Sequence, residues 1–92
     1  MLKGKTSTGF EYELEDDALN DWEVLEDLTD VDDGRYGGAV RALRRLLGDN
    51  QMKALKEHCR GENGRITQSA MVNELADVLK GTGAAEGAEK NA

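Results

Sequence analysis

Apolar residues in the second half of the chain recur at helical spacing in two segments that are separated by a short polar loop. In the first segment Met52, Leu55 and Cys59 share one helical face, and Asp49 occupies the N-cap position. The loop that follows, Arg60–Arg65, contains two glycines and an asparagine, which tolerate the positive φ of a chain reversal. The pattern predicts a helix that ends in a tight turn.

The second segment opens with a helix start signal. The hydroxyl of Thr67 can accept from a free amide of the first turn, and Ile66 and Met71 have the spacing of a hydrophobic staple. An apolar stripe of helical period follows, made of Met71, Val72, Leu75, Val78 and Leu79. We therefore predict helices over Asn50–Arg60 and Gln68–Lys80, packed as a C-terminal helical hairpin.

Near the N-terminus the pattern changes to strict alternation. Phe10, Tyr12 and Leu14 alternate with carboxylates, which is typical of a strand with one buried face. A single strand leaves its backbone amides unpaired, so it needs a partner strand. Either Leu2–Thr6 pairs with it as a hairpin, or another chain does.

The acidic stretch that follows predicts a helix over Asp17–Leu28, capped by Asp16 or Asp17. Its apolar residues recur every three positions, at Leu19, Trp22, Leu25 and Leu28, and Trp22 lies near the centre of the stripe. The opposite face carries only carboxylates, which are Asp21, Glu23, Glu26 and Asp27.

A further amphipathic pattern predicts a helix over Tyr36–Leu47, which Gly48 ends. Its polar face carries the compact basic group of the chain, Arg41, Arg44 and Arg45. No aromatic residues are interleaved with these arginines and the protein is acidic, so we expect no nucleic-acid binding. The three arginines are either a solvated face or a face that binds an acidic partner.

Together these elements predict an α+β fold that is predominantly α, with a short N-terminal strand or hairpin followed by about four helices. Residues 1–80 form a single domain, and the small-residue stretch 81–92 is expected to be a disordered tail. The expected core consists of Trp22, Leu25, Leu43, Leu46, Leu55, Leu75 and Leu79.

Charge is distributed unevenly along the 92 residues, whose formal net charge is −7. Twelve acidic residues and no basic one lie between Thr6 and Gly34, whereas eight basic and three acidic residues lie between Arg35 and Arg65. The two halves either neutralise each other in the fold or form a charged interface. The sequence has no long apolar segment and no signal-peptide pattern, and its single cysteine suits a reducing cytoplasm.

Two stretches superficially match a calcium-binding loop. Placing Gly64 at loop position six puts Cys59 at position one and Ala70 at position twelve, where a carboxylate is required. The second match starts at Asp30 and ends at Arg41, which is not a ligand either. We expect both stretches to be turns that bind no calcium.

The sequence offers little evidence for a zinc site, a catalytic nucleophile or a phosphate-binding loop. His58 is the only histidine and Cys59 the only cysteine, so a zinc site cannot be completed from these residue types. No nucleophile has a convincing base, and no glycine-rich loop is present to hold phosphate. We expect no enzymatic activity, no metal and no cofactor.

The order of the motifs resembles the small tail assembly chaperones of long-tailed phages and prophages, particularly those of Gram-positive hosts. The motifs that carry the resemblance are Phe10–Leu14, Ala18–Glu23, Leu25–Leu28, Leu46–Gln51, Leu55–His58, Glu62–Ile66 and Glu74–Leu79. Each motif is common by itself, and their succession over nearly the whole predicted domain is what is specific.

The resemblance implies a chaperone in the host bacterial cytoplasm that binds the tape-measure protein during tail building and helps recruit tail-tube subunits. It implies no catalytic residues, and a longer frameshifted form occurs in such families. We expect several copies to bind one client, with Arg41, Arg44 and Arg45 bordering the apolar contact strip; the chain itself can also be a homo-oligomer. The alternative is an acidic inhibitor or DNA mimic that binds a basic nucleic-acid-binding protein, since carboxylates are concentrated between Glu11 and Asp33.

Overall fold

The computed structural model describes residues 1–81 and is mostly helical, with a small antiparallel sheet at the N-terminus. The elements are β1 (Leu2–Lys5), β2 (Glu11–Leu14), a 3-10 turn (Ala18–Asn20), α1 (Trp22–Asp32), α2 (Gly37–Cys59) and α3 (Gln68–Gly81). The predicted tail lies outside the described residues except for Gly81, which is the last residue of α3. Within residues 1–81 no helix has both the length and the apolar character needed to cross a membrane.

The N-terminal strand pairs within its own chain. Strand β1 runs antiparallel to β2, with Leu2 opposite Leu14 and Gly4 opposite Tyr12. Phe10, Tyr12 and Leu14 are buried, as the alternation predicts. A Cβ atom at Gly4 would overlap the Tyr12 ring, so this glycine makes room for the ring to lie across the sheet.

The structure contains three α-helices, so the predicted number of four is wrong. The helices predicted over Tyr36–Leu47 and Asn50–Arg60 are joined in α2. Gly48 inside α2 nevertheless departs from helical geometry, with φ 76° and ψ 169°. This backbone conformation is accessible essentially to glycine alone, so the chain changes direction at Gly48 without ending the element.

Helix α1 begins and ends later than predicted. The chain makes a 3-10 turn first, and Asp21 rather than Asp16 or Asp17 caps α1, because an oxygen of the Asp21 carboxylate accepts from the Glu23 amide at 2.8 Å. The helix continues through Asp32. Asp16 and Asp17 therefore precede α1 and do not cap it.

The core is confirmed at Leu43, Leu46, Leu55 and Leu75, which are all buried, and Leu79 is partly buried against them. The prediction is wrong for Trp22 and Leu25, whose exposed fractions are 71% and 53%. In a helix of 3.6 residues per turn, a stripe that recurs every three residues drifts around the axis.

The inward face of α1 is instead made of Val24, Asp27, Leu28 and Val31, which follow the i, i+3, i+4, i+7 pattern. Trp22 lies roughly 160° around the helix axis from Val24, which places Trp22 on the solvent side of α1. The carboxylate of Asp27, predicted to be exposed, is buried with 4% of its surface accessible.

Candidate protein-binding surfaces

A cluster of ion pairs joins α1 to α2. The buried Asp27 carboxylate accepts from Nε of Arg41 at 3.0 Å and from Nε of Arg45 at 2.7 Å. Arg41 also pairs with Asp30, and Arg45 lies 3.5 Å from Glu23. Burial by itself raises the pKa of Asp27, but the hydrogen bonds from Arg45 and Arg41 outweigh that effect and lower the pKa. The acidic and basic halves of the chain therefore neutralise each other here.

The three predicted partner-binding arginines do not form one free face. Arg41 and Arg45 hold α1 in place, whereas Arg44 is exposed and only 3.9 Å from the highly exposed Asp49. An ion pair of this length between solvated groups contributes little. Of the three, Arg44 is therefore the arginine that is available to another molecule.

An apolar groove opens between α2 and α3, and we call it the α2–α3 groove. It has a volume of about 160 Å³. Its lining is almost entirely apolar and includes Tyr36 at the N-cap of α2, Ala39, Val40, Leu43 and Met52 of α2, and Ile66, Met71 and Val72. Tyr36 and Val40 are 57% and 46% exposed, so the groove is open to solvent. Both residues stand at apolar positions of the amphipathic pattern over Tyr36–Leu47, and the structure leaves this part of the apolar face uncovered.

A second apolar hollow lies between α1 and α3. It is lined mainly by Leu28, Val31, Val72, Leu75 and Leu79. Val72 belongs to both hollows, so apolar surface extends along α3 from its first turn toward its last. The predicted staple residues Ile66 and Met71 lie at the beginning of this surface, next to Thr67, whose hydroxyl accepts from the Ala70 amide at 3.2 Å.

The outer side of α1 carries a second exposed apolar patch. Trp22 and Leu25 are one helical turn apart and are surrounded in sequence by Asp21, Glu23 and Glu26, all exposed. We call these five residues the α1 outer face. Large apolar residues exposed within a charged surface are typical of protein-binding anchors.

Sequence analysis missed a buried carboxylate in α3. Glu74 is 1% exposed, and its two oxygens accept from the hydroxyls of Thr6 and Thr8, both at 2.9 Å. The Thr8 hydroxyl also forms a hydrogen bond with Nε2 of His58 at 2.9 Å. The signal was present, because Glu74 lies three residues after Met71 and four before Val78 on the predicted stripe. Its role here is to fasten the β-hairpin to α3.

Cys59 and the predicted turns have ordinary structural roles. The Cys59 side chain packs partly buried against the core, and burial, followed by the charge of Glu74, raises the pKa of its thiol. The Asn63 side chain accepts from the Arg65 amide at 3.0 Å in the turn that joins α2 to α3. Within residues 1–81 no group of three or more histidine, cysteine or acidic side chains has the arrangement needed to hold a metal ion.

Comparisons with family models, with curated proteins and with solved structures found no match to this chain.

Proposed function

We propose that this protein is a phage tail assembly chaperone that acts in the host bacterial cytoplasm, binds the tape-measure protein and helps recruit tail-tube subunits. The observation that carries the proposal is the α2–α3 groove, an open apolar surface beside two helices. Amphipathic helices bind in grooves of this kind through apolar side chains spaced by one turn. The order of sequence motifs supplies the choice of client.

The expected contact surface is narrower than the arginine face inferred from the sequence. Arg44 comes four residues after Val40 on α2, so it lies next to the groove on the helix surface. Arg41 and Arg45 are engaged by Asp27, and replacing them disturbs the fold as well as any complex. Of the three arginines, only Arg44 tests charge at the edge of the groove without also disturbing the packing of α1.

Co-expression with a helical tape-measure fragment that is insoluble alone tests the proposal. The wild-type chain keeps the fragment soluble with more than one copy bound, and Val40→Glu prevents this, because it places a charge in the apolar groove. Arg44→Glu weakens the complex and makes it less dependent on salt. Soluble complex is measured by pull-down and its stoichiometry by light scattering.

Ala54→Glu is the matched control, because Ala54 is exposed on α2 and lies roughly 160° around the helix from Met52. It leaves capture of the fragment unchanged. A fragment that remains insoluble beside folded wild-type protein contradicts the chaperone proposal. A fragment that is captured equally well by Val40→Glu contradicts the assignment of the groove alone.

The alternative function, an acidic inhibitor or DNA mimic, has less support. Such a protein needs an array of free carboxylates, but Asp27 is buried and Asp30 pairs with Arg35 and Arg41. The arginines that hold these carboxylates reduce the negative potential along α1.

A further inference from the structure

The α1 outer face and the α2–α3 groove have complementary chemistry. The first presents a large aromatic and a leucine side chain to solvent, with 71% and 53% of their surface exposed. The second is an apolar opening of about 160 Å³, comparable to the engineered cavities of about 150 Å³ that accept a benzene ring. One large apolar side chain therefore fits the groove.

The charges around the two surfaces are opposite in sign. Trp22 and Leu25 lie among the carboxylates Asp21, Glu23 and Glu26. The groove is flanked along the chain by exposed cations, with Arg44 after Leu43, Lys53 after Met52 and Arg65 before Ile66. In the described part of the chain, residues 1–81, neither Lys53 nor Arg65 forms an ion pair.

Within one molecule the two surfaces cannot meet. Helix α1 packs on the side of α2 that carries Arg41 and Arg45, and these residues lie roughly 100° and 140° around the helix from Val40 in the groove. Trp22 lies on the side of α1 that faces away from α2. A contact between the two surfaces therefore requires two molecules.

We propose that the occupant of the groove in the free protein is a second copy of this chain, which inserts Trp22 into the groove and places Leu25 beside it, while its carboxylates face the cations at the rim. Each chain has one such anchor and one groove, so in a two-fold pair the anchor-in-groove contact is made twice and neither groove is left open. The inference stands without the proposed function. If both hold, client and second copy compete for the same groove.

Trp22 is the only tryptophan in the sequence, so tryptophan fluorescence reports directly on whether this side chain is exposed or buried. We expect the emission of the purified full-length chain to shift to the blue as concentration rises, while sedimentation velocity shows a reversible dimer. Leu25→Glu and Val40→Glu each remain monomeric over the same range, and Ala54→Glu behaves like the wild type. Val40 is 46% exposed, so a glutamate there is compatible with the fold.

A mixing experiment separates anchor-in-groove contact from any other pairing. The Val40→Glu chain keeps its tryptophan but has a blocked groove, and the Trp22→Ala chain has an open groove and no tryptophan. An excess of Trp22→Ala shifts the emission of Val40→Glu to the blue. An excess of the double variant Trp22→Ala/Val40→Glu, which has neither element, leaves the emission unchanged.

A wild-type chain that stays monomeric at millimolar concentration overturns the inference. Equal emission shifts with the Trp22→Ala chain and with the double variant also overturn it, because Trp22 then binds a surface other than the groove. No shift with either chain overturns it as well, because Trp22 then binds neither. If Val40→Glu fails to fold by circular dichroism, Tyr36→Glu replaces it, since Tyr36 lines the same groove and is 57% exposed. No client is present in these experiments, so their failure leaves the proposed function to its own test.

Discussion

At the scale of single residues, Asp27 has the most demanding environment on α1. Its carboxylate is 4% exposed, and both oxygens accept from arginine side chains of α2. A buried charge is tolerated only when its partners compensate for lost hydration. Arg41 and Arg45 supply that compensation while remaining partly solvated themselves.

The pH dependence of Asp27→Asn tests this environment. Because the pKa of Asp27 is lowered below 3.8, its stabilisation is complete above that value and is lost as the pH falls through the folded-state pKa. We expect the wild type to be more stable than the variant at about pH 7 and the difference to shrink below about pH 4. Urea unfolding of both proteins across this range measures the difference in free energy.

Asp49→Asn is the control for this experiment, since the Asp49 side chain is 91% exposed and lies 3.9 Å from Arg44. Its free energy of unfolding stays within about 0.5 kcal/mol of the wild type at every pH. A constant difference between wild type and Asp27→Asn down to about pH 3 would show that packing, rather than ionisation, determines the effect.

At the scale of elements, close approach at one glycine sets the packing of α1 on α2. A Cβ atom at Gly38 would overlap the carbonyl oxygen of Asp27 and crowd Asp30. The backbone of α1 therefore occupies the space that a side chain at position 38 of α2 would need. The neighbouring Gly37 has a different environment, because a Cβ atom there would lie 3.5 Å from the end of the Arg41 side chain.

This difference predicts opposite effects for two adjacent substitutions. Gly38→Ala lowers the free energy of unfolding by about 1–3 kcal/mol, because the added methyl separates α1 from α2. Gly37→Ala leaves it unchanged or raises it by up to about 1 kcal/mol, because alanine restricts the unfolded chain without a clash. Chemical denaturation measures both, and equal losses would place the close contact elsewhere.

At the scale of the whole molecule, the first and last described elements are fastened together. Thr6 and Glu74 are 68 residues apart in sequence, and their hydrogen bond is buried. Ser7 adds two hydrogen bonds to Asp77, and the Tyr12 hydroxyl donates to the Val78 carbonyl at 3.3 Å. The β-hairpin is therefore held against α3.

The Thr6–Glu74 hydrogen bond should couple the stabilities of the hairpin and α3. Thr6→Val leaves an oxygen of buried Glu74 without its donor and lowers stability by about 1–3 kcal/mol. The double variant Thr6→Val/Glu74→Leu loses less than the sum of the single variants, because the hydrogen bond between the two side chains can be lost only once. Urea melts of the four proteins give the coupling energy.

Thr29→Val serves as the control for the threonine change, since the Thr29 hydroxyl is exposed and donates to a carbonyl of its own helix. Its stability stays within about 0.5 kcal/mol of the wild type. Strict additivity of the Thr6 and Glu74 changes would show that the hydrogen bond does not connect the two elements energetically.

Local signals in the sequence determined much of the architecture. Alternation specified the buried face of β2, and helical spacing together with the Thr67 cap specified α3, because these preferences depend on neighbours a few residues away. Gly48 likewise marked the point where α2 leaves helical geometry. The mostly helical fold with an N-terminal β segment follows from these signals.

Tertiary structure alone decided which face of α1 is buried and that a carboxylate of α3 is buried with its apolar stripe. Trp22 is the more hydrophobic residue, yet Asp27 faces the core, because two arginines on α2 neutralise its charge and Gly38 admits the helix at that angle. Glu74 is buried for the same kind of reason, with hydroxyls arriving from a hairpin near the other end of the chain. Hydrophobicity is a property of one residue, whereas the burial of a charge depends on partners that only the folded chain brings within hydrogen-bonding distance.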